Sequence, residues 1–126
     1  MVFTCGIIED EPLGGALLKK YVSRMDILEL RWMKASVEDL LAGGIDTGDF
    51  VDLVFMDLLD TPSDSGFKVN RSVEQYGRIV ITTACPERFV KTLGIRYAAL
   101  LNKPISFDAF QDTVTTVMQN ARSSNQ

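Results

Sequence analysis

The sequence predicts one α/β domain, in which a doubly wound, five-stranded parallel sheet carries helices on both faces. Short apolar runs of strand length alternate along the chain with segments whose apolar residues recur at helical spacing. The runs are continuously apolar, which is typical of strands buried on both faces. Because strand and helix alternate to the end of the chain, right-handed βαβ crossovers and a parallel sheet are favoured.

The predicted strands are five apolar runs. Three of them, at 3–8, 53–56 and 79–81, are rich in β-branched, aromatic or other large apolar residues. Two further runs, at 27–32 and 98–101, complete the sheet, although the alanine and leucine of the last run suit a helix equally well.

The predicted helices have apolar residues on one face each. Ser36, followed three residues later by Asp39, resembles a capping box, and Gly43-Gly44 predicts where that helix ends. Ser106 is the expected N-cap of the last helix. The expected buried faces are Leu13, Ala16, Leu17, Tyr21 and Met25 in the first helix, Val37, Leu40 and Leu41 in the second, and Phe107, Phe110, Val114, Val117 and Met118 in the last.

The composition excludes several classes of function. The chain has 126 residues, of which 46% are hydrophobic, so we expect one domain at 1–121 and a polar tail or linker start at 122–126. With 13 Lys and Arg against 17 Asp and Glu, it lacks the positive surface that nucleic-acid binding needs. No apolar stretch reaches the roughly 20 residues of a membrane span, and no leader is evident, so we expect a cytoplasmic location.

The chain contains no histidine, so it supplies no imidazole as a base, metal ligand or phosphate carrier. Cys5 and Cys85 are far apart in sequence, which indicates neither a disulfide framework nor a zinc site. The remaining chemistry is that of carboxylates, hydroxyls and ammonium groups. It suits a hard divalent cation and a phosphoryl group.

Charged and hydroxyl residues stand at the ends of four predicted strands. Because the carboxyl ends of parallel strands meet at one edge of a sheet, we expect these side chains to converge. Taken alone, each of these residues has an ordinary structural explanation, such as helix N-terminal acidity, turn chemistry or strand preference. Their combination favours a functional site. The residues are Glu9-Asp10, Asp57, Thr82-Thr83 and Lys103-Pro104.

In this combination the motifs resemble the receiver domain of two-component response regulators over nearly the whole chain. The resemblance implies a flavodoxin-like (βα)5 fold and a Mg²⁺ site in which Glu9 assists and Asp10 is a direct ligand. It also implies that Asp57 accepts phosphate from a histidine kinase or a phosphotransfer protein, and that Asp57 and the backbone carbonyl of Leu59 complete the metal ligands.

The resemblance further implies that a hydroxyl and a lysine contact the phosphoryl group. Thr83 is the expected hydroxyl because small Ala84 follows it, with Thr82 as the alternative register. Lys103, which precedes Pro104, is the expected lysine. The motif at 81–84 and its short distance to Lys103 are most similar to receivers of LytTR-type regulators, which implies a LytTR-like DNA-binding effector outside this chain. A homodimer is a further expectation.

The chain departs from the usual receiver pattern in three places. The loop at 57–66 is one residue longer, and Leu100 stands where many receivers carry an aromatic residue that moves inward on activation. The acidic pair is Glu-Asp instead of Asp-Asp, which keeps the oxygen ligands.

Two other functions are consistent with parts of this pattern. A haloacid-dehalogenase-like phosphatase usually needs a second aspartate two residues after the nucleophile, where this chain has Leu59. A receiver-like interaction module that is never phosphorylated is favoured by the long loop and by Leu100, but disfavoured by the complete set of acceptor, acids, hydroxyl and lysine. We therefore expect only self-directed phosphotransfer and autodephosphorylation, not turnover of a substrate.

Overall fold

The computed structural model describes residues 2–42, 47–58 and 72–124, with side chains as far as residue 121. Within these ranges a parallel sheet has the strand order β2-β1-β3-β4-β5. The strands are β1 (Phe3–Ile8), β2 (Leu28–Lys34), β3 (Leu53–Asp57), β4 (Arg78–Thr83) and β5 (Ala99–Asn102), and the helices are α1 (Pro12–Ser23), α2 (Val37–Leu41), α3 (Glu87–Lys91) and α4 (Phe107–Ser124). This architecture confirms the predicted fold.

Two hydrophobic cores cover the two faces of the sheet. The first lies under α1 and α4, where the ring of Phe110 stacks on that of Phe55 with their centroids 5.0 Å apart. The second lies under α2 and α3, where Leu40 and Val90 pack with Met56 and Ile81. Successive strand residues alternate between these cores, as expected for strands buried on both faces.

The two predicted N-caps are present, whereas Gly43-Gly44, the predicted end of the second helix, lies outside the described residues. The hydroxyl of Ser36 accepts a hydrogen bond from the backbone N–H of Asp39 at 3.1 Å, and that of Ser106 accepts one from the N–H of Ala109 at 3.1 Å. The last helix continues to Ser124, beyond the point at which the polar tail was predicted to begin. None of the helices in the described ranges is long and apolar enough to cross a membrane.

The predicted buried face of α1 was wrong in its first half. Leu13 is 79% exposed and Leu17 is 37% exposed, whereas Gly15, Leu18 and Val22 are buried. The reason is that the helix lies close to the sheet at its glycines, which a hydrophobic pattern does not count. A Cβ on Gly15 would lie 3.2 Å from the terminal methyl of Met33 on β2.

The second half of that predicted face was correct. Met25 is buried, and Tyr21 packs edge-on against Phe107 with ring centroids 5.4 Å apart. The Tyr21 hydroxyl donates a hydrogen bond to the backbone carbonyl of Ile105 at 2.8 Å. This bond ties α1 to the segment that leads from β5 into α4.

Candidate functional site

Three carboxylates meet at the edge of the sheet where β1 and β3 end. Glu9, Asp10 and Asp57 each offer an oxygen, and these oxygens lie within 4.8 Å of one another. Asp57 is the last residue of β3, and Glu9 and Asp10 follow β1 directly, so parallel pairing of the two strands brings the acids together. The predicted convergence of these residues is therefore present in the structure.

Lys103 bridges two of these carboxylates. Its Nζ donates hydrogen bonds to Glu9 Oε1 at 3.0 Å and to Asp57 Oδ1 at 2.8 Å. The Glu9 side chain is fully buried in this arrangement, while that of Lys103 is 30% exposed. The peptide bond between Lys103 and Pro104 is cis, and Pro104 itself is exposed. The lysine reaches the site because β5 ends at the same edge as β3.

The electrostatics of this cluster differ from those of separate surface groups. Burial, followed by the neighbouring Asp57 carboxylate, raises the pKa of Glu9 to about 7, although Lys103 acts in the opposite direction. Burial lowers the pKa of Lys103, but its hydrogen bonds and charge interactions with Asp57 and Glu9 outweigh this effect and raise it. The lysine therefore stays cationic. Its single positive charge does not neutralise all of the carboxylates around it.

The donor set fits Mg²⁺. Glu9 Oε2 is buried and has no hydrogen-bond partner within the described ranges. A buried carboxylate oxygen without a partner is costly, and a cation removes that cost. Mg²⁺ takes oxygen ligands and is usually held by one or two carboxylates together with waters and phosphate oxygens. Asp10 is exposed, so a hydrated ion can reach the cluster from solvent.

The two candidate hydroxyls lie at the end of β4 and differ in their hydrogen bonding. The Thr83 hydroxyl accepts a hydrogen bond from the backbone N–H of Cys85 at 3.0 Å. The Asn102 side chain donates to the carbonyl of Cys85 at 2.8 Å, which fixes the turn between β4 and α3. Thr82 Oγ1 is buried and has no partner in the part of the chain that the structure describes. Ala84 is exposed beside these residues.

The remaining predicted residues are placed as follows. Leu100 is half-buried and packs against the core under α2 and α3, away from the carboxylates. Cys5 is buried in the first core, and burial raises the pKa of its thiol to about 12. The backbone carbonyl of Leu59, an expected metal ligand, lies outside the described residues.

The sequence reasoning missed Gly14. A Cβ at this position would overlap Glu9 Oε1, so the absence of a side chain leaves room for the buried carboxylate. A glycine pair within a predicted helix was the available signal, because glycine there costs about 0.5–1 kcal/mol relative to alanine and calls for a packing reason. Asn102 was also missed, because it carries neither a charge nor a hydroxyl and holds the backbone of a turn.

Comparison of the sequence with family models finds no match. The transcriptional regulatory protein MalR of Bacillus subtilis (strain 168) is 28% identical over 114 residues, which cover 86% of this chain and 47% of MalR. The chain thus spans about half the length of this relative.

Solved structures with the same fold include several receiver domains. That of a modulated diguanylate cyclase from Desulfovibrio desulfuricans G20 has a TM-score of 0.79 at 14% identity and covers 98% of this chain and 99% of its own. The response regulatory domain of MrkE from Klebsiella pneumoniae has a TM-score of 0.75 at 20% identity, covering 95% and 98%.

The isolated REC domain of RcsB from Salmonella enterica serovar Typhimurium, solved with the phosphomimetic BeF3-, has a TM-score of 0.75 at 12% identity and covers 94% of this chain and 90% of its own. At such identities the likeness shows the fold, and the narrower resemblance to LytTR-type receivers stays a prediction. The chain therefore has the fold of response regulator receiver domains.

Proposed function

We propose that this domain accepts a phosphoryl group on Asp57 from a histidine kinase or a phosphotransfer protein, with Mg²⁺ as cofactor. The observation that carries the proposal is the bridge from Lys103 to Asp57 Oδ1 at 2.8 Å, inside a cluster of three carboxylates. A lysine held against the acceptor oxygen is what a phosphate group needs as its counter-charge.

The transfer requires an external phosphohistidine because this chain has no histidine. The P–N bond of the donor breaks, its electron pair returns to the imidazole nitrogen, and a new P–O bond forms to Asp57. Mg²⁺ held by Asp10 and Asp57, with Glu9 beside them, would neutralise charge on the phosphoryl oxygens. Lys103 is placed to do the same, and the Thr83 hydroxyl can donate to the phosphoryl group after it leaves its own turn.

An apolar surface beside the site supports a protein donor. Leu13 is 79% exposed and Leu17 37% exposed, and both lie on α1 next to the acids. A groove of about 220 Å³ runs between these leucines, Glu9, Lys103 and Pro104. A donor histidine must come within bonding distance of Asp57, so the docking surface of its protein has to border this edge. Exposed leucines are suited to that contact.

The response to phosphorylation would pass through the turn after β4. Thr83 and Asn102 both hold the Cys85 backbone, so movement of Thr83 toward phosphate would release one of these hydrogen bonds and shift α3. Leu100 is half-buried on the neighbouring strand and offers no aromatic ring for the usual inward movement. The surface at α3 and β5 is therefore the proposed output. Its partners, a homodimer mate or a LytTR-like effector, stay predictions, as do the domain boundary at residue 121 and the cytoplasmic location.

The test is labelling of the purified domain by acetyl phosphate, a donor that needs no docking surface. We expect Mg²⁺-dependent addition of one phosphoryl group, detected by intact mass, and loss of that addition in Asp57→Asn. Asp108→Asn, which removes an exposed carboxylate on α4, is the matched control and should be labelled like the parent. Full labelling of Asp57→Asn would contradict the assignment, and absence of both labelling and Mg²⁺ binding in the parent would favour a module that is never phosphorylated.

Donor docking is tested separately by Leu13→Asp. This variant should be labelled normally by acetyl phosphate but poorly by a phosphorylated histidine-containing protein. Equal loss with both donors would show that the substitution damages the site itself and would contradict the docking role.

A further inference from the structure

Thr82 carries a buried hydroxyl at the end of β4. The residue is fully buried, and its Oγ1 has no hydrogen-bond partner within the described ranges. An unpaired buried hydroxyl destabilises a protein, so such a group needs an explanation. Valine has almost the same shape and would avoid this cost.

The strand register places Thr82 beside the acceptor. Thr82 lies directly opposite Asp57 in the pairing of β3 with β4. Val80 and Phe55, two residues earlier on each strand, both belong to the core under α1 and α4. Because alternate residues of a strand share a face, Thr82 and Asp57 point to the same face of the sheet, on strands about 5 Å apart.

Thr83 differs from Thr82 both in the face of the sheet that it occupies and in its hydrogen bonding. It has the parity of Ile81, which packs in the opposite core, and its hydroxyl already accepts a hydrogen bond from Cys85. Lys103 and Glu9 are joined to each other and, through Lys103, to Asp57. Thr82 is therefore the buried, unpaired hydroxyl that lies in register with the phosphate acceptor.

We propose that Thr82 is a positioning residue whose hydroxyl donates a hydrogen bond to the carboxyl group of phosphorylated Asp57. This inference rests on the proposed function. In the resting domain Lys103 holds Asp57 Oδ1 at 2.8 Å. When Asp57 forms its P–O bond, its other carboxyl oxygen becomes a carbonyl with two lone pairs, of which the proposed Mg²⁺ would take one, while Lys103 is drawn toward the phosphoryl group. The second lone pair can then accept a hydrogen bond from Thr82, which lies opposite Asp57 in the strand pairing. In the resting domain the Asp57 carboxylate is held by Lys103 instead, and Thr82 Oγ1 has no partner within the described ranges.

Three variants test this role with beryllofluoride and Mg²⁺ as the phosphoryl mimic. Thr82→Val should leave the domain without beryllofluoride at least as stable as the parent in urea, because it removes an unpaired polar group. The same variant should bind beryllofluoride about three- to tenfold more weakly, the equivalent of one neutral hydrogen bond. Thr82→Ser keeps the hydroxyl and should bind within about twofold of the parent. Thr83→Val serves as the comparison at the adjacent position.

The outcomes distinguish a failure of the Thr82 role from a failure of the proposed function. Equal beryllofluoride affinity in Thr82→Val and the parent would overturn the role of Thr82 while leaving the proposed function intact. Lower stability of Thr82→Val than of Thr82→Ser without beryllofluoride would also overturn it, since the hydroxyl would then have a partner in the resting domain. A parent that binds no beryllofluoride would refute the proposed function itself, and this inference with it.

Discussion

Gly14 and Gly15 are adjacent in α1, yet we expect alanine to have opposite effects at the two positions. Alanine in place of a helical glycine gains about 0.5 kcal/mol near a helix end, because it lowers the entropy of the unfolded chain. At Gly15 the added Cβ would be 3.2 Å from the flexible end of Met33, so this gain should be retained. At Gly14 the Cβ would overlap Glu9 Oε1.

The cost at Gly14 follows from what holds Glu9 in place. The carboxylate could rotate away from a new Cβ, but Oε1 would then lose its 3.0 Å hydrogen bond from Lys103. A hydrogen bond to a charged group contributes about 1.5–3 kcal/mol. After subtraction of the helix gain, Gly14→Ala should lower the free energy of unfolding by about 1–2.5 kcal/mol. Gly15→Ala should raise it by about 0.5 kcal/mol.

Urea denaturation in metal-free buffer measures both values, and a double-mutant cycle identifies the cause. In a Glu9→Ala background the overlapping oxygen is absent, so Gly14→Ala should become stabilising, with a coupling free energy of about 1.5–3 kcal/mol between the two positions. If Gly14→Ala stabilises the parent as much as Gly15→Ala does, the reasoning is refuted, because Glu9 would not be confined between α1 and Lys103.

Four further predictions concern Cys5, Cys85, Phe110 and Lys103. Cys85 should react with a thiol reagent at pH 8 in the native state, whereas Cys5, whose pKa is raised to about 12, should react only on unfolding, and simultaneous reaction would contradict its burial. Because unfolded Cys5 loses its proton near its ordinary pKa of 9.0 and the folded thiol keeps it to about 12, stability should fall as pH rises through that interval, and Cys5→Ala should flatten the slope. Phe110→Ala should cost about 3–5 kcal/mol in urea denaturation, since Phe110 is fully buried against Phe55, and a cost below about 1 kcal/mol would contradict that packing. Lys103→Met should strengthen Mg²⁺ binding about fivefold in a titration while slowing labelling by acetyl phosphate, because the metal and the ammonium compete for the same carboxylates; weaker Mg²⁺ binding would argue against that competition.

The sheet was predictable because its signal is local. Runs such as 53–56 are apolar at every position, and this is enough to indicate a strand with two buried faces. Pairing in parallel then requires that Glu9, Asp57 and Lys103 meet at one edge, so the composition of the site followed from the strand ends alone. The positions of the strand ends were therefore enough to place these charged groups at one edge of the sheet.

The face of α1 and the register at β4 were not predictable in this way. Leu13 and Leu17 fit a helical stripe, but the side that packs is decided by how closely the backbone can approach the sheet, and glycine has no hydrophobic signal. Thr82 and Thr83 are identical in chemistry and adjacent in sequence. Only the pairing of β3 with β4 decides which of them lies opposite Asp57.

Glu9 links the stability of the domain to its proposed cofactor. Its side chain is fully buried, one oxygen is held by Lys103, and the other has no partner among the described residues. The resting domain therefore carries the desolvation cost of a carboxylate that is only half satisfied. Under the proposed function, a Mg²⁺ ion that binds the folded site and not the unfolded chain would recover part of this cost, which would contribute to its affinity. The absence of a side chain at Gly14 fits this arrangement, since a Cβ there would overlap the carboxylate oxygen that Lys103 holds.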